Sequence, residues 1–314
     1  MVATRTIESH ILNDTDDETS METCMSRTAR EDTPLDLIAA GFTFNEGPRW
    51  HAGELYFSDT MAGTVHAVDA DRRLRTVVRI DDSVSGLGFA PDGDLLIVSA
   101  GRRQLLRHRG EAVRIVADLS ALAAQAINDM VVDSAGRAYI GEMCFDPTAP
   151  LKPVPGKLFI VQPDGAIEIG ADDMLMSNGS VISADGATLI VAETMGSRLT
   201  AFDIGAHGRL SNRRVFAQLP QGYYPDGIAL DAGGGVWAAC PHENGVIRVE
   251  QGGAITHRIE IGNGRAAYAC ALGGTERRTL YLCTAETHDR VHGDAVKSSR
   301  IESVDIEFSG AGLP

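Results

Sequence analysis

Residues 177–194 read Ser-Asn-Gly-Ser-Val-Ile-Ser-Ala-Asp-Gly-Ala-Thr-Leu-Ile-Val-Ala-Glu-Thr, and this stretch predicts a β-hairpin. Apolar and β-branched residues flank a turn at 184–186, where the Asp-Gly pair supplies the positive φ that a tight turn requires. The second strand is predicted over 188–192. Asn178 stands just ahead of the first strand, and this position is important because the chain repeats the whole pattern.

The repeat sets the predicted fold. Five clear copies share a polar residue, an apolar strand and a turn, and they begin at Glu46, Ser85, Asn128, Asn178 and Asp226. A degenerate sixth copy begins near Ala269, with Glu276-Arg277-Arg278 in place of the Asp-Gly turn. The starts lie roughly 40–50 residues apart, the period of four-stranded propeller blades. The sequence therefore predicts an all-β fold, a six-bladed β-propeller around a central channel. The alternative is a β-sandwich in which the hairpin recurs by chance.

The chain of 314 residues is predicted to contain one folded domain, residues 35–314, preceded by an extension. Residues 1–34 are rich in Thr, Ser, Asp and Glu, and we expect them to be disordered because they cannot bury enough apolar surface to offset ordering. Leu35–Ala40 is expected to pair with the alternating segment 300–306 and close the ring, since closure removes exposed sheet edges.

The composition limits the classes of molecule that the protein is expected to bind. The formal net charge of −15 disfavours nucleic acid and anionic membranes, and it suits a site that holds a cation for a small-molecule substrate. The five cysteines lack any Cys-x-x-Cys spacing, which favours a reducing cytoplasmic location. No apolar run is long enough to span a bilayer, and the N-terminus does not resemble a signal peptide. The composition does not indicate an oligomeric state.

One position of the repeat predicts a metal site in the central channel. The residue before each innermost strand faces the channel mouth, and four of these residues carry oxygen donors, namely Glu46, Asn128, Asn178 and Asp226. Two carboxylates and two amides suit one divalent cation, with Ca²⁺ first and Mg²⁺, Mn²⁺ or Zn²⁺ as alternatives. For any one of the four, the alternative is an ordinary turn or capping residue.

The ends of the second strands return to the same face and are predicted to form the rim of the site. The candidates for substrate contact or acid–base chemistry there are Glu142, Glu193, His242 and His288, with Tyr224 on the pocket wall. Each of them alone is more often a solvated loop residue. The irregular segment 142–157 contains four prolines, which exclude a central strand and suggest a cover over the site.

These motifs resemble one known family. The segments Glu46-Gly-Pro-Arg-Trp50, Asn128-Asp129, Ser177-Asn178-Gly179, Ala192-Glu193-Thr194 and Pro225-Asp226-Gly227 are similar to those of the SMP-30/gluconolactonase/luciferin-regenerating-enzyme family, over about residues 35–314. The resemblance implies a six-bladed propeller with one divalent cation, held by Glu46, Asn178 and Asp226. It implies that Asn128 is either a fourth ligand or a substrate contact.

The family includes sugar-acid lactonases and a fluorophosphate-cleaving phosphotriesterase, and two positions depart from its pattern. Ala126 stands where lactonases resembling the animal protein have an arginine, which puts an anionic sugar lactone in doubt. Ser177 replaces the proline common before the Asn-Gly pair, a change expected to adjust only the backbone.

Together these features predict a metal-dependent hydrolase that opens a lactone or a similar ester. The cation would polarise the carbonyl oxygen, and Asp226 is the predicted proton acceptor for the attacking water, with Glu142, Glu193 or a rim histidine as alternatives. The competing hypotheses are an organophosphate hydrolase, a metal-dependent lyase or hydratase, and a non-catalytic binding propeller stabilised by its metal.

Overall fold

The structure is a computed structural model that describes residues 29–31, 34–145, 154–286 and 296–311. Its strands form six sheets, and within the described residues they are β1 (Ala29–Glu31), β2 (Asp36–Phe42), β3 (Asn45–His51), β4 (Glu54–Asp59), β5 (Thr64–Val68), β6 (Leu74–Arg79), β7 (Val84–Phe89), β8 (Leu95–Ser99), β9 (Gln104–Arg109), β10 (Ala112–Asp118), β11 (Ile127–Val132), β12 (Ala138–Glu142), β13 (Gly156–Val161), β14 (Ile167–Met174), β15 (Ser177–Ile182), β16 (Thr188–Glu193), β17 (Arg198–Ile204), β18 (Leu210–Gln218), β19 (Ile228–Leu230), β20 (Val236–Cys240), β21 (Gly245–Val249), β22 (Ile255–Glu260), β23 (Ala266–Gly273), β24 (Thr279–Ala285) and β25 (Ser299–Asp305).

Each sheet is one blade, and the six-bladed propeller predicted from the repeat is confirmed. Blades 1 to 4 are meanders of consecutive strands, β3–β6, β7–β10, β11–β14 and β15–β18. Blade 5 contains β19–β22, and blade 6 contains β23–β25 and β2. The first strand of each blade contacts the first strands of both neighbouring blades, so these six inner strands form a closed ring.

The predicted hairpin of residues 177–194 forms the two inner strands of blade 4, β15 and β16. Gly186 adopts a φ of +71°, and its N–H donates to the Ser183 carbonyl oxygen, so the glycine provides the backbone conformation that the turn requires. All six residues of β15 are buried, because an inner strand is covered on both faces by the neighbouring blades. The observed β16 extends one residue past the predicted end, to Glu193.

The hydrophobic core is a ring of six layers, one between each pair of adjacent blades. For example, Val98 and Leu105 of blade 2 pack with Met130 and Ile140 of blade 3. The other five layers follow the same rule. Each blade therefore depends on both neighbours to bury its apolar faces, which is why a repeat of this kind cannot fold alone.

The ring closes as predicted. Strand β2 pairs antiparallel with β25, with Asp36 opposite Ser303 and Ala40 opposite Arg300, so a strand from the start of the domain completes the last blade. Strand β1 pairs parallel with β22 at the outer edge of blade 5. Residues 1–28, 32 and 33 of the predicted disordered extension lie outside the described residues, as does half of the predicted cover, since 146–153 are not described.

In the described part of the chain, three single-turn 3₁₀ helices follow or connect strands, at Thr194–Gly196, Ala206–Gly208 and Pro241–Glu243. Within the described ranges, no helix has both the length and the apolar composition needed to span a membrane.

Glycines allow the inner strands to approach one another at the channel. A Cβ on Gly86 would lie 2.8 Å from the Asp129 Cα, and a Cβ on Gly227 would lie 2.6 Å from the Ala269 Cα. Glycine at these positions removes the clash. The pairing register of the inner strands shifts at the same level, for example between Val84 and Leu87 of blade 2. Each shift is a β-bulge that turns a side chain toward the channel.

We expect Gly86→Ala to destabilise the protein by about 1–3 kcal/mol, because the new methyl group has to displace the backbone of blade 3. The matched control is Gly262→Ala, since a Cβ on Gly262 would meet no atom within 4 Å. Thermal and urea denaturation of both variants measures the difference. Equal stability of the two variants would contradict the role given to the inner-strand contact.

Candidate metal centre and active site

The four predicted ligands meet at the bulges of the inner strands. Asn128 Nδ2 donates to Asn178 Oδ1 at 3.1 Å, which joins blade 3 to blade 4. An Asn178 side-chain hydrogen bond reaches Asp226 of blade 5. Glu46 of blade 1 lies close enough to Asp226 for their charges to repel. The structure thus brings together all four side chains, although they are separated by up to 180 residues in the sequence.

Neighbouring groups hold the two amides in place. Ser85 Oγ donates to Asn128 Oδ1 at 3.1 Å, so blade 2 contributes a hydroxyl to the same ring. Asn178 Nδ2 donates to Thr194 Oγ1 at 3.2 Å, and that hydroxyl in turn donates to the Pro225 carbonyl oxygen at 2.8 Å. Pro225, the residue before Asp226, is therefore linked to the Asn178 side chain through the Thr194 hydroxyl.

The two carboxylates are electrostatically unfavourable in the protein alone. Burial raises the pKa of Glu46 well above its usual range, and the charges of Asp226 and Asp129 raise it further. Burial and Asp129 also raise the pKa of Asp226, against a hydrogen bond from Asn178. The Asp226 Oδ1 atom is buried and, within the described residues, has no hydrogen-bond partner. A cation between the carboxylates would supply the missing partner and offset the repulsion.

The donor set fits a hard divalent cation. Two carboxylates balance its charge, and two amides add carbonyl oxygens without further repulsion. Among the described residues, no group of three or more His, Cys, Asp or Glu side chains is arranged to hold a metal. Sites rich in histidine or thiolate, which zinc prefers, are thus not found in this part of the chain.

A buried ion pair beneath the four donors was not predicted from the sequence. Arg49 of blade 1 and Asp129 of blade 3 pair at 2.9 Å, with side chains only 4% and 7% exposed. Arg49 also donates to the carbonyl oxygens of Pro48 and Met130. Its charge lowers the pKa of Glu46, whereas the charge of Asp129 raises it. The sequence does contain a signal for Asp129. In the other clear copies of the repeat, the residue after the polar position is glycine, whereas in blade 3 it is this aspartate.

The sixth blade contributes a tyrosine that the sequence analysis missed. Tyr268 is buried, and its ring packs edge-on against Phe44 with centroids 4.8 Å apart. Burial, together with the charges of Asp226 and Glu46, raises the pKa of Tyr268 to about 12. The register of blade 6 skips Tyr268 between Ala267 and Ala269, so the bulge lies one residue before the position assigned from the repeat.

Two of the predicted rim residues lie side by side. The rings of Tyr224 and His242 meet edge-on with centroids 4.9 Å apart, and Tyr224 is half-buried whereas His242 is exposed. His242 lies in the 3₁₀ turn that follows β20. The place of this pair on a pocket wall stays a prediction. His288 lies outside the described residues.

The two rim glutamates bind parts of their own blades. The buried Glu142 carboxylate accepts hydrogen bonds from the N–H groups of Gln125 and Lys157, at 2.9 and 3.0 Å. It therefore holds the segments before β11 and at the start of β13. The structure gives Glu142 this anchoring position, and substrate contact stays a prediction.

Glu193 is still more enclosed. Its carboxylate is fully buried and pairs with Arg198 at 3.0 Å and Arg213 at 3.1 Å, both on the outer strands of blade 4. It also accepts hydrogen bonds from the Leu175 N–H and the Thr200 hydroxyl. Despite the cost of burial, these partners lower the pKa of Glu193. Its partners lie within blade 4, and contact with the substrate stays a prediction.

The profile of the SMP-30/gluconolactonase/LRE-like region matches residues 44–286. The chain belongs to this family. A pentonolactonase, XacC, of Haloferax volcanii is 27% identical over 260 residues, 81% of this chain and 85% of the relative. A 6-deoxy-6-sulfogluconolactonase of Pseudomonas putida is 25% identical, over 76% of this chain and 82% of the relative. A regucalcin of Gallus gallus is 27% identical, over 78% and 84% of the two chains.

Family members of known structure have the same fold. A luciferin-regenerating enzyme superposes with a TM-score of 0.76 at 20% identity, over 89% of this chain and 98% of the other. A calcium-binding protein, regucalcin from Agrobacterium tumefaciens, superposes with a TM-score of 0.74 at 22% identity, over 90% and 97%.

Glu193→Gln is expected to destabilise the protein by about 1–3 kcal/mol at pH 7, because two arginines lose their buried carboxylate. The pKa of Glu193 is lower in the folded state than in the unfolded state. Its carboxylate therefore stabilises the fold above the unfolded-state pKa of about 4.3, and this stabilisation is lost as the pH falls through the folded-state pKa. The difference from wild type should therefore shrink in acid.

Urea denaturation between pH 7 and pH 3 measures this difference. The exposed Glu111, replaced by Gln, is the control and should leave stability unchanged at every pH. A deficit in Glu193→Gln that stays constant down to pH 3 would show that shape, and not charge, determines the role of Glu193.

Proposed function

We propose that this protein is a divalent-metal-dependent hydrolase that opens a lactone. The observation that carries the proposal is the convergence of Glu46, Asn128, Asn178 and Asp226 on one end of the channel, with the Asp226 Oδ1 atom buried and unpartnered. The pentonolactonase and sulfogluconolactonase relatives support lactone hydrolysis as the reaction.

Glu46, Asn178 and Asp226 would hold the cation, with Asn128 beside them. When bound, a divalent cation at this position supplies Lewis-acid polarisation of the substrate carbonyl group. Calcium is the first candidate, because the donors are all oxygen atoms and relatives include proteins named regucalcin. Magnesium, manganese and zinc are the alternative cations, and they can be compared by measuring turnover with each metal.

The chain's own residues would orient the reaction. Asp226 is the proposed proton acceptor for the attacking water, because its carboxylate lies where the four donors converge. The amide of Asn128 is fixed by Ser85 and Asn178, so it can direct a hydrogen bond at the substrate or complete the ligand set. Tyr224 and His242 form one wall, where an apolar ring edge and an imidazole would contact the lactone ring.

The substrate is proposed to be a small neutral lactone. Ala126 presents only a methyl group beside the candidate site, and its carbonyl oxygen accepts the Met143 N–H at 2.9 Å, so position 126 serves the rim backbone and offers no cation. The guanidinium of Arg49 is already paired with Asp129, so it is not free to bind an anionic substrate. A sugar lactone without a carboxylate or sulfonate group therefore fits better than an anionic one.

A pH-indicator assay over neutral and anionic lactones tests the reaction. We expect acid release that requires added calcium, is abolished by chelation, and falls on the order of 10²-fold or more in Asp226→Asn. The exposed Asp172, replaced by Asn, is the matched control and should retain wild-type turnover. The same panel repeated with magnesium, manganese and zinc ranks the metals.

Thermal denaturation of chelated protein tests the metal site separately from turnover. Calcium at about 100 times its dissociation constant should stabilise the wild type by about 2.7 kcal/mol, and Glu46→Gln should lose most of this gain. Stabilisation without turnover on any lactone would point to a binding propeller. If calcium and the other cations change neither stability nor turnover, the metal assignment is wrong.

A further inference from the structure

The central channel narrows to a small cavity below the ion pair of Arg49 and Asp129. Its volume is about 20 Å³, enough for one small occupant, and it is lined by Arg49, Arg277, Ile228, Leu230, Leu272 and Ala311 among others. Among the described residues, none of those that line it is acidic. The charged side chains at the cavity are therefore two guanidinium groups, and most of its other lining residues are apolar.

Arg277 enters this cavity without a counter-charge. Its Nε atom is buried and has no hydrogen-bond partner, and within the described residues its guanidinium forms no ion pair or side-chain hydrogen bond. Burial alone lowers the pKa of Arg277, with no acidic neighbour to oppose the effect. Arg277 as a whole is half-buried, but a buried Nε–H without an acceptor is costly unless a partner binds it.

The end of the described chain covers Arg277 from outside. The Gly310 N–H donates to the Arg277 carbonyl oxygen at 2.7 Å, and the Ala311 N–H donates to the Leu230 carbonyl oxygen at 2.9 Å. A Cβ on Gly310 would lie 3.1 Å from Arg277 Nε, so the segment lies directly against the guanidinium. These contacts explain how a residue on a blade turn has a buried Nε.

Arg49 adds a second free donor from above. Its side chain is 4% exposed, and its Nε atom is also buried without a partner, although its Nη atoms bind Asp129 and two carbonyl oxygens. Asp129 thus balances the charge of Arg49, and the charge of Arg277 is left unbalanced among the described residues. The excess positive charge is local, because the whole chain carries a formal net charge of −15.

We propose that the cavity binds a monatomic anion, with chloride as the physiological occupant, between the Nε–H groups of Arg49 and Arg277. An anion is a better partner than water for these donors, because both donors belong to positively charged guanidinium groups. The cavity is small, about 20 Å³, so a monatomic anion is preferred to phosphate or sulfate. The bound anion would neutralise Arg277 and link the blade 6 turn to the first inner strand.

Halide-dependent stability tests the proposal in protein dialysed free of chloride. At constant ionic strength, exchange of sodium methanesulfonate for sodium chloride should raise the wild-type melting midpoint by about 5 °C at saturation. Arg277→Gln should lose this rise. Arg278→Gln removes the same charge from an exposed neighbour and should keep it.

Crystals of the wild type grown in bromide provide the direct measurement. An anomalous peak in the cavity between Arg49 and Arg277 is expected, and this result does not depend on whether Arg277→Gln folds. The proposal is overturned by a wild type that is insensitive to halide, by an Arg277→Gln variant that is as halide-sensitive as wild type, or by a carboxylate of the protein or buffer against Arg277 in place of bromide.

Discussion

The rest of the structure depends on the close approach of backbones where the six inner strands meet. Gly47 lies against the Ser85 carbonyl oxygen, Gly86 against Asp129, and Gly179 against the backbone of Asp226 and Gly227. This contact requires glycine beside the channel, and it places a β-bulge in the inner strands. The bulge then turns the preceding side chain inward. Ring closure and the candidate site are thus consequences of one packing constraint.

Charge inside the channel is arranged in layers along its axis. The upper layer holds Glu46 and Asp226, whose pKa values are both raised by burial and by neighbouring acids. The ion pair of Arg49 and Asp129 lies next, and Arg277 lies below it. This excess of carboxylate above and of guanidinium below is the basis for proposing a cation at one level and an anion at the other.

Other buried acids have structural roles. Asp231 is fully buried and accepts hydrogen bonds from Trp237 Nε1 at 3.1 Å and Arg248 Nε at 2.6 Å. Glu193 binds Arg198 and Arg213 in a similar way at the opposite end of its blade. In this propeller, acidic residues near the ends of strands therefore also serve to anchor neighbouring strands.

Local sequence determined the number of blades and the strand that closes the ring, and it predicted the four donors. Each depends on a residue's place in its own repeat, as Asn178 does ahead of its hairpin. The tertiary structure alone decided which other groups join them. Arg49 and Asp129 are 80 residues apart, and a pair across a channel has no local pattern. Tyr268 takes the inner-strand position in blade 6 that the four donors take in their blades, because a bulge shifts the pairing register by one residue. In a strand, where side chains alternate between the two faces, a shift of one residue exchanges the inward and outward side chains.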